Sequence, residues 1–270
     1  MKPSIALPPR LFDRIRIVMV STSHPGNIGA AARALKTMGL ARLVLVEPRF
    51  ADALSHPDAL AFAVGAADVL ERARVCETLT EALADCHWAV AMSARGRDIS
   101  LPEIDPRSAA AKAIDLVASG SGGGESRQIA FVFGSERYGL DNEDVMKCQA
   151  VCAVPTDPGY SSLNLAQAVQ IVAYECRLAA LALTAATGPM PENSGGKSAA
   201  QAPLATIEEC EQFYEHLQRA LIALDFLKAE HPKKLMHRLR RLFARAGLEH
   251  EEVNILRGIC TAILTPQRKQ

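Results

Sequence analysis

The sequence lacks the features that mark secreted, zinc-binding and membrane-spanning proteins. Its seven cysteines include no Cys-x-x-Cys pair, and their odd number and irregular spacing argue against a disulfide framework and a zinc site. The histidines show no metal-ligand spacing either. No apolar run approaches the length of a membrane span, and residues 1–10 lack the apolar core of a signal peptide. These absences lead us to expect a cytoplasmic protein with neither a membrane partner nor a metal ion.

The sequence also has no net charge. Its 30 Lys and Arg residues balance 30 Asp and Glu residues, so nothing global demands a nucleic-acid partner, although an average can hide local patches. The 270 residues are 49% hydrophobic and 22% charged, which is ordinary for a globular chain and sufficient for one large or two modest domains.

Short apolar segments rich in β-branched residues alternate with helical segments in the first half of the chain. Gly39 is placed to end the first helix and Pro106 to begin the last one. The pattern predicts strands at 15–21, 41–48, 74–77, 87–93 and 129–133, and helices at 27–38, 52–71, 79–84 and 106–118. Alternating strands and helices indicate an α/β fold with a parallel sheet covered on both faces.

The character of the sequence changes after about residue 184. Residues 185–205 are a flexible linker by composition, without apolar periodicity. Thr206 and Glu209 then have capping-box spacing, and Pro232 fits the start of a later helix. We predict two domains, residues 1–184 and 206–270, the second formed by helices at 206–229, 232–246 and 250–264.

Residues 154–175 run from a turn dense in Pro, Asp and Gly into an apolar helix. Ser161 and Ser162 offer N-cap hydroxyls, and Leu165, Val169 and Val172 recur at helical spacing behind them. A loop that exposes backbone groups at a helix N-terminus suits a polar or anionic ligand. The alternative for this stretch alone is a buried helix with a well-made cap.

Three further turns follow predicted strands, at the edge where parallel sheets bind ligands. The first, residues 21–33, has glycines at 26 and 29 rather than at dinucleotide-loop spacing, and Asn27 could cap its helix. Arg33 is flanked by alanines, which suggests an arginine on a largely buried helix with a carboxylate or phosphate partner. The alternative for Arg33 is a solvated helix residue.

The second of these turns contains Met92, Ser93 and Ala94, and the third spans residues 133–140. In the third, Gly134 would let the backbone approach a ligand closely, and Glu136 could orient a sugar hydroxyl or Arg33. Taken alone, this third pattern also fits a plain surface turn.

Residues 27–33, 134–140 and 161–175, in that order and spacing, resemble the three motifs of the SpoU branch of the SPOUT methyltransferases. The likeness spans about residues 15–180, and within the branch the chain is most similar to tRNA ribose 2′-O-methyltransferases, which also carry a helical extension after a linker. The resemblance implies a trefoil knot at the C-terminal end of the α/β domain, a homodimer, and S-adenosylmethionine as methyl donor. The periodicity of the sequence does not itself show a knot.

The resemblance also implies roles for individual residues. Cofactor contacts would come from Met92, Ser93, Ala94, Gly134, Val154, Ser161, Ser162 and Leu163. Met92 stands where a small or hydroxylated residue is common, a change that a backbone contact would tolerate. Catalytic roles would belong to Asn27, Arg33, Glu136, Ser162 and Asn164, with Arg33 as the key residue. Because a free guanidinium has a pKa above about 12, it is a poor base, and we favour phosphate binding and alkoxide stabilisation for Arg33.

A basic segment, residues 231–245, contains no acidic residue. Its cations are Lys233, Lys234, Arg238, Arg240, Arg241 and Arg245. Leu235, Leu239 and Leu242 form an apolar stripe opposite them, so a solvated face of a packed helix is one interpretation. Beside a methyltransferase domain, dense positive charge favours phosphate contacts with tRNA.

The resemblance implies 2′-O-methylation of cytidine or uridine at position 32 of the tRNA anticodon loop. One alternative is a SpoU-type enzyme that acts on another tRNA site or on ribosomal RNA. Another is an RNA-binding module whose pocket has lost activity, although the presence of Arg33, Glu136, Ser162 and Asn164 counts against it.

Overall fold

A single parallel sheet organises the first part of the chain. The computed structural model describes residues 11–93, 101–119, 127–187, 203–228 and 234–265. Its strands are β1 Ile15–Val20, β2 Arg42–Val46, β3 Arg74–Cys76, β4 Trp88–Met92, β5 Glu103–Ile104, β6 Ile129–Phe133 and β7 Ala150–Cys152. They lie in the order β3-β2-β1-β6-β4-β7-β5, and every pairing is parallel. The predicted α/β class with a parallel sheet is confirmed.

The three strands at the centre of the sheet are buried along their whole length. Ile15 of β1 pairs with Ile129 of β6, and Ile129 pairs in turn with Trp88 of β4. All residues of β1, β4 and β6 are buried, because helices cover both faces of the sheet. This central position holds the carboxyl ends of the three strands rigidly beside one another.

Seven α-helices accompany the sheet within the described residues. They are α1 Pro25–Met38, α2 Pro57–Phe62, α3 Ala67–Glu71, α4 Leu79–Leu83, α5 Pro106–Ser119, α6 Asn142–Met146 and α7 Leu165–Thr187. The single helix predicted over residues 52–71 is wrong, since the chain forms α2 and α3 there. Gly65, with φ +75°, lies between them in a conformation that interrupts an α-helix. The short elements β5, α6 and β7 are not among the predicted strands and helices, because segments of two to five residues carry little periodicity.

Helix α7 corrects one expectation from the sequence. Its residues Leu165–Ala185 are long and apolar enough to cross a membrane by length and composition, whereas no such run was expected. The face that carries Val169, Val172 and Cys176 is fully buried in the core of the domain, against α1 and α5. A single helix of this length and composition is weak evidence for a membrane protein.

The last three helices share a small core of their own. They are α8 Ile207–Ala223, α9 Leu235–Ala246 and α10 His250–Leu264. Thr206 and Glu209 form the predicted capping box at the start of α8. Helix α8 ends six residues before the predicted boundary of 229, and Pro232 lies outside the described residues.

The helical region also contacts the sheet domain directly. The backbone N–H of Ile207 donates to the carbonyl oxygen of Cys86 at 2.8 Å, and the Ile207 side chain is buried in the α4 side of the core. Most of the predicted linker lies outside the described residues, since α7 continues to Thr187 and residues 188–202 are not described. The two domain boundaries and the trefoil knot stay predictions.

Candidate functional site

The carboxyl ends of β4, β6 and β7 surround a cavity of about 260 Å³, which we call the first cavity. Its walls contain all the predicted cofactor residues that the structure describes: Met92, Ser93, Gly134, Val154, Ser161, Ser162 and Leu163. Ala94 lies outside the described residues. Three segments that are distant in sequence therefore meet at one edge of the sheet, where ligands of parallel sheets bind.

Gly134 lets the turn after β6 fold closely against itself. A Cβ atom at this position would lie 2.0 Å from the carbonyl carbon of Gly139 and 2.1 Å from the backbone nitrogen of Leu140. Gly139, with φ +69°, closes the turn by donating its N–H to the carbonyl oxygen of Ser135 at 2.9 Å. Only a residue without a side chain fits, and the wall of the first cavity is therefore largely backbone here.

The carboxylate of Glu136 joins this turn to the loop after β1. Its Oε2 accepts hydrogen bonds from the backbone N–H of Ser23 at 2.9 Å and from the Ser23 hydroxyl at 2.6 Å. Its Oε1 accepts from the Asn27 amide at 2.8 Å and from the backbone N–H of His24 at 3.1 Å. Four donors thus fix one carboxylate, which is close to the capacity of the group.

These hydrogen bonds also set the charge state of Glu136. Burial alone would raise its pKa, but the hydrogen bonds from Ser23 and Asn27 stabilise the ionised form and hold the pKa below its ordinary value. Glu136 is consequently a fixed anion at neutral pH and an orienting group rather than a proton donor.

Asn27 and Asn164 extend the network to α7. The Nδ2 group of Asn164 donates to Oδ1 of Asn27 at 3.0 Å. Oδ1 of Asn164 accepts from the backbone N–H groups of Ala166 at 2.9 Å and Gln167 at 3.3 Å, which caps the N-terminus of α7. Glu136, Asn27 and Asn164 therefore form one chain of hydrogen bonds across the three motifs, while Ser162 is exposed and lines the first cavity.

Arg33 does not have the buried position that its alanine neighbours suggested. Ala31, Ala32, Ala34 and Leu35 face the core, but Arg33 itself is exposed. Its guanidinium has no hydrogen-bond or ion-pair partner within the described part of the chain. The expectation of a buried arginine is wrong, because the flanking alanines occupy the other face of α1.

The cations of the basic segment differ in how far they are exposed. Lys234, Arg238, Arg241 and Arg245 are exposed, and Lys233 lies outside the described residues. Arg240 instead makes a bidentate ion pair with Glu211 of α8, with one contact of 2.7 Å, and its guanidinium lies 4.5 Å from the Tyr214 ring centroid. Arg240 therefore holds α9 against α8.

Sequence reasoning missed Ser23 as a partner of Glu136. It lies in the turn that follows β1, so a hydroxyl residue beside a strand end was the available indication. Within the described ranges, no group of three or more His, Cys, Asp or Glu residues could hold a metal ion.

Comparison with known proteins connects this geometry to a family. Residues 14–174 match the family described as SpoU rRNA Methylase family, and residues 208–270 match the C-terminal domain of the tRNA methyltransferase TrmJ. A Pseudomonas aeruginosa relative, named tRNA (cytidine/uridine/adenosine-2′-O-)-methyltransferase TrmJ, is 47% identical over 252 residues, which cover 93% of this chain and 94% of the relative.

Two solved structures resemble the chain. TrmJ from Z. mobilis ZM4 is 32% identical, with a TM-score of 0.74 over 93% of this chain and 99% of that one. A probable methyltransferase from Bordetella pertussis Tohama I is 48% identical, with a TM-score of 0.59, and covers 63% of this chain and 98% of its own. Because the family match spans the sheet and all three loops of the site, the chain belongs to the SpoU methylase family.

Proposed function

We propose that this protein is an S-adenosylmethionine-dependent tRNA ribose 2′-O-methyltransferase that acts on cytidine or uridine at position 32 of the anticodon loop. The observation that carries the proposal is the first cavity, in which the predicted cofactor residues lie beside the Glu136–Asn27–Asn164 network. The TrmJ name of the relatives and the match to the TrmJ C-terminal domain favour tRNA over ribosomal RNA.

The first cavity suits S-adenosylmethionine. Ser93, Ser161 and Ser162 line it together with the apolar residues Phe133, Val154 and Leu163, which suits a ligand with both an adenosine and an aliphatic part. When bound, S-adenosylmethionine supplies a methyl group on a sulfonium, an excellent leaving group. The remaining tasks for the protein are to align the ribose hydroxyl and to stabilise the charge that develops on it.

Arg33 fits those tasks as a binder of the adjacent phosphate. Its guanidinium is exposed and has no partner in the described chain, so all its donors are available to an RNA oxyanion. The fixed carboxylate of Glu136 and the amides of Asn27 and Asn164 hold the loops that surround the reacting hydroxyl. Ser162, at the mouth of the same cavity, completes the positioning group.

We further propose that the protein acts as a cytoplasmic homodimer, with Arg33 of one protomer directed to the site of its partner. An exposed catalytic arginine without an internal partner supports this arrangement, and so does the trefoil knot that the family resemblance implies. The exposed cations Lys234, Arg238, Arg241 and Arg245, together with Lys233, would contact tRNA phosphates. Arg240 is left out of that surface because Glu211 occupies its guanidinium.

Methyl transfer tests the proposal directly. The protein is incubated with labelled S-adenosylmethionine and tRNA that lacks the modification, and the labelled nucleotide is mapped. We expect a 2′-O-methyl group at position 32, whereas label at another tRNA site or in ribosomal RNA supports the alternative substrates. Label on a base contradicts the mechanism. S-Adenosylmethionine at a hundred times its Kd stabilises a binding-competent fold by about 2.7 kcal/mol, so an unchanged Tm contradicts the enzyme proposal.

The role of Arg33 is tested by Arg33→Lys, which keeps the charge but loses the planar pair of donors. We expect kcat to fall by about tenfold or more, the equivalent of one good transition-state interaction, with cofactor affinity unchanged. Arg72→Lys is the control, since Arg72 is another exposed arginine, located at the C-terminal end of α3 and absent from the walls of the first cavity. Turnover of Arg33→Lys close to that of the unaltered protein excludes bidentate phosphate binding.

A further inference from the structure

A second cavity, of about 660 Å³, lies beside the first at the carboxyl ends of β1 and β2. Ser135, Glu136 and Arg137 belong to the walls of both cavities. The roles proposed above use Glu136 to hold the two loops together and assign no role to Arg49, Arg137 or Tyr138, which also line the second cavity. The second cavity is therefore open space next to the reacting centre without an assigned ligand.

The backbone around the second cavity is strained. Ser21 has φ +50° and Glu47 has φ +44°, and both residues line the cavity. Of the described residues other than glycine, only Asp225 shares a positive φ. Hydrogen bonds from Ser21 N–H to Val46 O at 2.8 Å and from Glu47 N–H to Cys76 O at 3.2 Å hold the two conformations. Strained residues of this kind cluster at functional sites, where surrounding structure enforces them.

The side chains of the second cavity combine an exposed aromatic ring with two exposed arginines. Tyr138 is 65% exposed, and the Arg137 guanidinium lies 5.2 Å from its ring centroid. Arg49 and Arg137 are exposed and make no ion pair within the described ranges. Of the two carboxylates present, that of Glu136 already accepts four hydrogen bonds, which leaves Glu47 as the main opposing charge.

This combination matches the chemistry of an unstacked nucleotide. Exposed aromatic rings stack on the bases of single-stranded RNA, and arginines beside them bind the backbone phosphates. An anticodon loop presents such nucleotides, whereas a small apolar ligand would need a cavity with apolar walls that exclude water. The wall shared with the first cavity makes the second one its immediate neighbour, so a nucleotide next to the methylated one could reach it.

We propose that the second cavity receives the nucleotide adjacent to the methylated one, with its base on Tyr138 and its phosphate on Arg49 and Arg137. The inference rests on the proposed function, because it presumes an RNA substrate. It adds a second point of attachment that fixes which nucleotide of the loop enters the first cavity.

The test uses the full-length protein and two pairs of variants. Tyr138→Leu removes the ring and Tyr138→Phe keeps it. Arg49→Gln removes a cation at the second cavity, and Arg72→Gln removes an exposed arginine that does not line it. For each variant, the KM for unmodified tRNA, the Kd for S-adenosylmethionine and the binding of an anticodon stem-loop oligonucleotide across salt concentrations are measured.

We expect Tyr138→Leu to raise the KM and the oligonucleotide Kd about tenfold, the effect of losing one stacked base, and Tyr138→Phe to change them less than about twofold. Arg49→Gln should reduce the slope of log K against log salt by about one, and Arg72→Gln should leave it unchanged. Cofactor affinity should stay constant throughout.

Two results overturn the inference. One is equal RNA binding by Tyr138→Leu and Tyr138→Phe, and the other is a loss of cofactor affinity in parallel with RNA affinity. Failure of the unaltered protein to methylate any RNA would count against the proposed function alone. The oligonucleotide measurements do not need turnover, so they decide the role of the second cavity in that case as well.

Discussion

Among single residues, Glu136 has the largest effect on how the site is assembled, because one carboxylate ties the loop after β6 to the loop after β1. Glu136→Gln would replace one acceptor oxygen by an amide that faces N–H donors. We expect a loss of about 1–2 kcal/mol in the free energy of unfolding at neutral pH and a fall in kcat, measured by urea unfolding and by methyl transfer. Glu71→Gln, at an exposed helix end, is the control and should change neither quantity.

The difference in unfolding free energy between the unaltered protein and Glu136→Gln should depend on pH, because the pKa of Glu136 is lowered. Burial opposes the shift, and the hydrogen bonds from Ser23 and Asn27 outweigh it. A carboxylate with a lower pKa in the folded state stabilises the fold above its unfolded pKa of about 4.3, and the contribution is lost as the pH falls below that value. The difference in unfolding free energy between the unaltered protein and Glu136→Gln should therefore become smaller in acid. A difference that grows in acid would contradict the lowered pKa of Glu136.

Individual residues also show what could not be predicted from the sequence, namely long-range contacts and burial. The importance of Asn27, Glu136 and Asn164 could be read from motif order, but their mutual hydrogen bonds join residues more than a hundred positions apart. No local pattern encodes such a contact. Arg33 was expected to be buried, because the residues beside it on the chain do not tell which face of α1 meets the core.

At the scale of elements, the turn from Gly134 to Leu140 depends on a position without a side chain. In Gly134→Ala the new Cβ would meet backbone atoms of Gly139 and Leu140 near 2 Å, so the turn must move and distort the first cavity. We expect S-adenosylmethionine affinity to fall at least about tenfold, and the protein to lose about 1–3 kcal/mol of stability through overpacking. Isothermal titration and thermal unfolding measure the two effects.

Gly258→Ala is the matched control for that variant. Gly258 lies inside α10, and a Cβ there would meet nothing within 4 Å. Alanine is the better helix former by about 1 kcal/mol, so this variant should gain stability and keep its cofactor affinity. Equal cofactor affinities for the two alanine variants would show that close backbone packing at Gly134 is not needed.

The elements themselves were largely predictable, because buried strands and amphipathic helices leave local periodicities. The strand order was not predictable, since the position of β6 between β1 and β4 depends on the packing of the whole sheet. The site depends on that strand order. The order brings the ends of β1, β4 and β6 together, although β6 begins more than a hundred residues after β1.

At the scale of the whole molecule, a neutral chain must bind a polyanion through a local concentration of charge. Under the proposed function the exposed face of α9 would supply it, while Glu211 and the other acidic residues of α8 balance the charge of α9. Within one helix, Arg240 is engaged with Glu211 and Tyr214, whereas Arg238, Arg241 and Arg245 are exposed. Arginines of this one helix should therefore have two separable effects, the exposed ones on RNA binding and Arg240 on the stability of the fold.

Two full-length variants separate these effects. Replacing Arg238, Arg241 and Arg245 together by Gln should weaken tRNA binding and reduce the salt slope by about two to three, with unfolding and cofactor affinity unchanged. Arg240→Gln should leave the salt slope intact but lower the unfolding free energy by about 1–2 kcal/mol, because it strands the half-buried Glu211 carboxylate. Filter binding across salt concentrations and urea unfolding measure the two quantities. If the triple variant kept the full slope, α9 would pack as a solvated helix and the tRNA phosphates would have to be bound by the sheet domain.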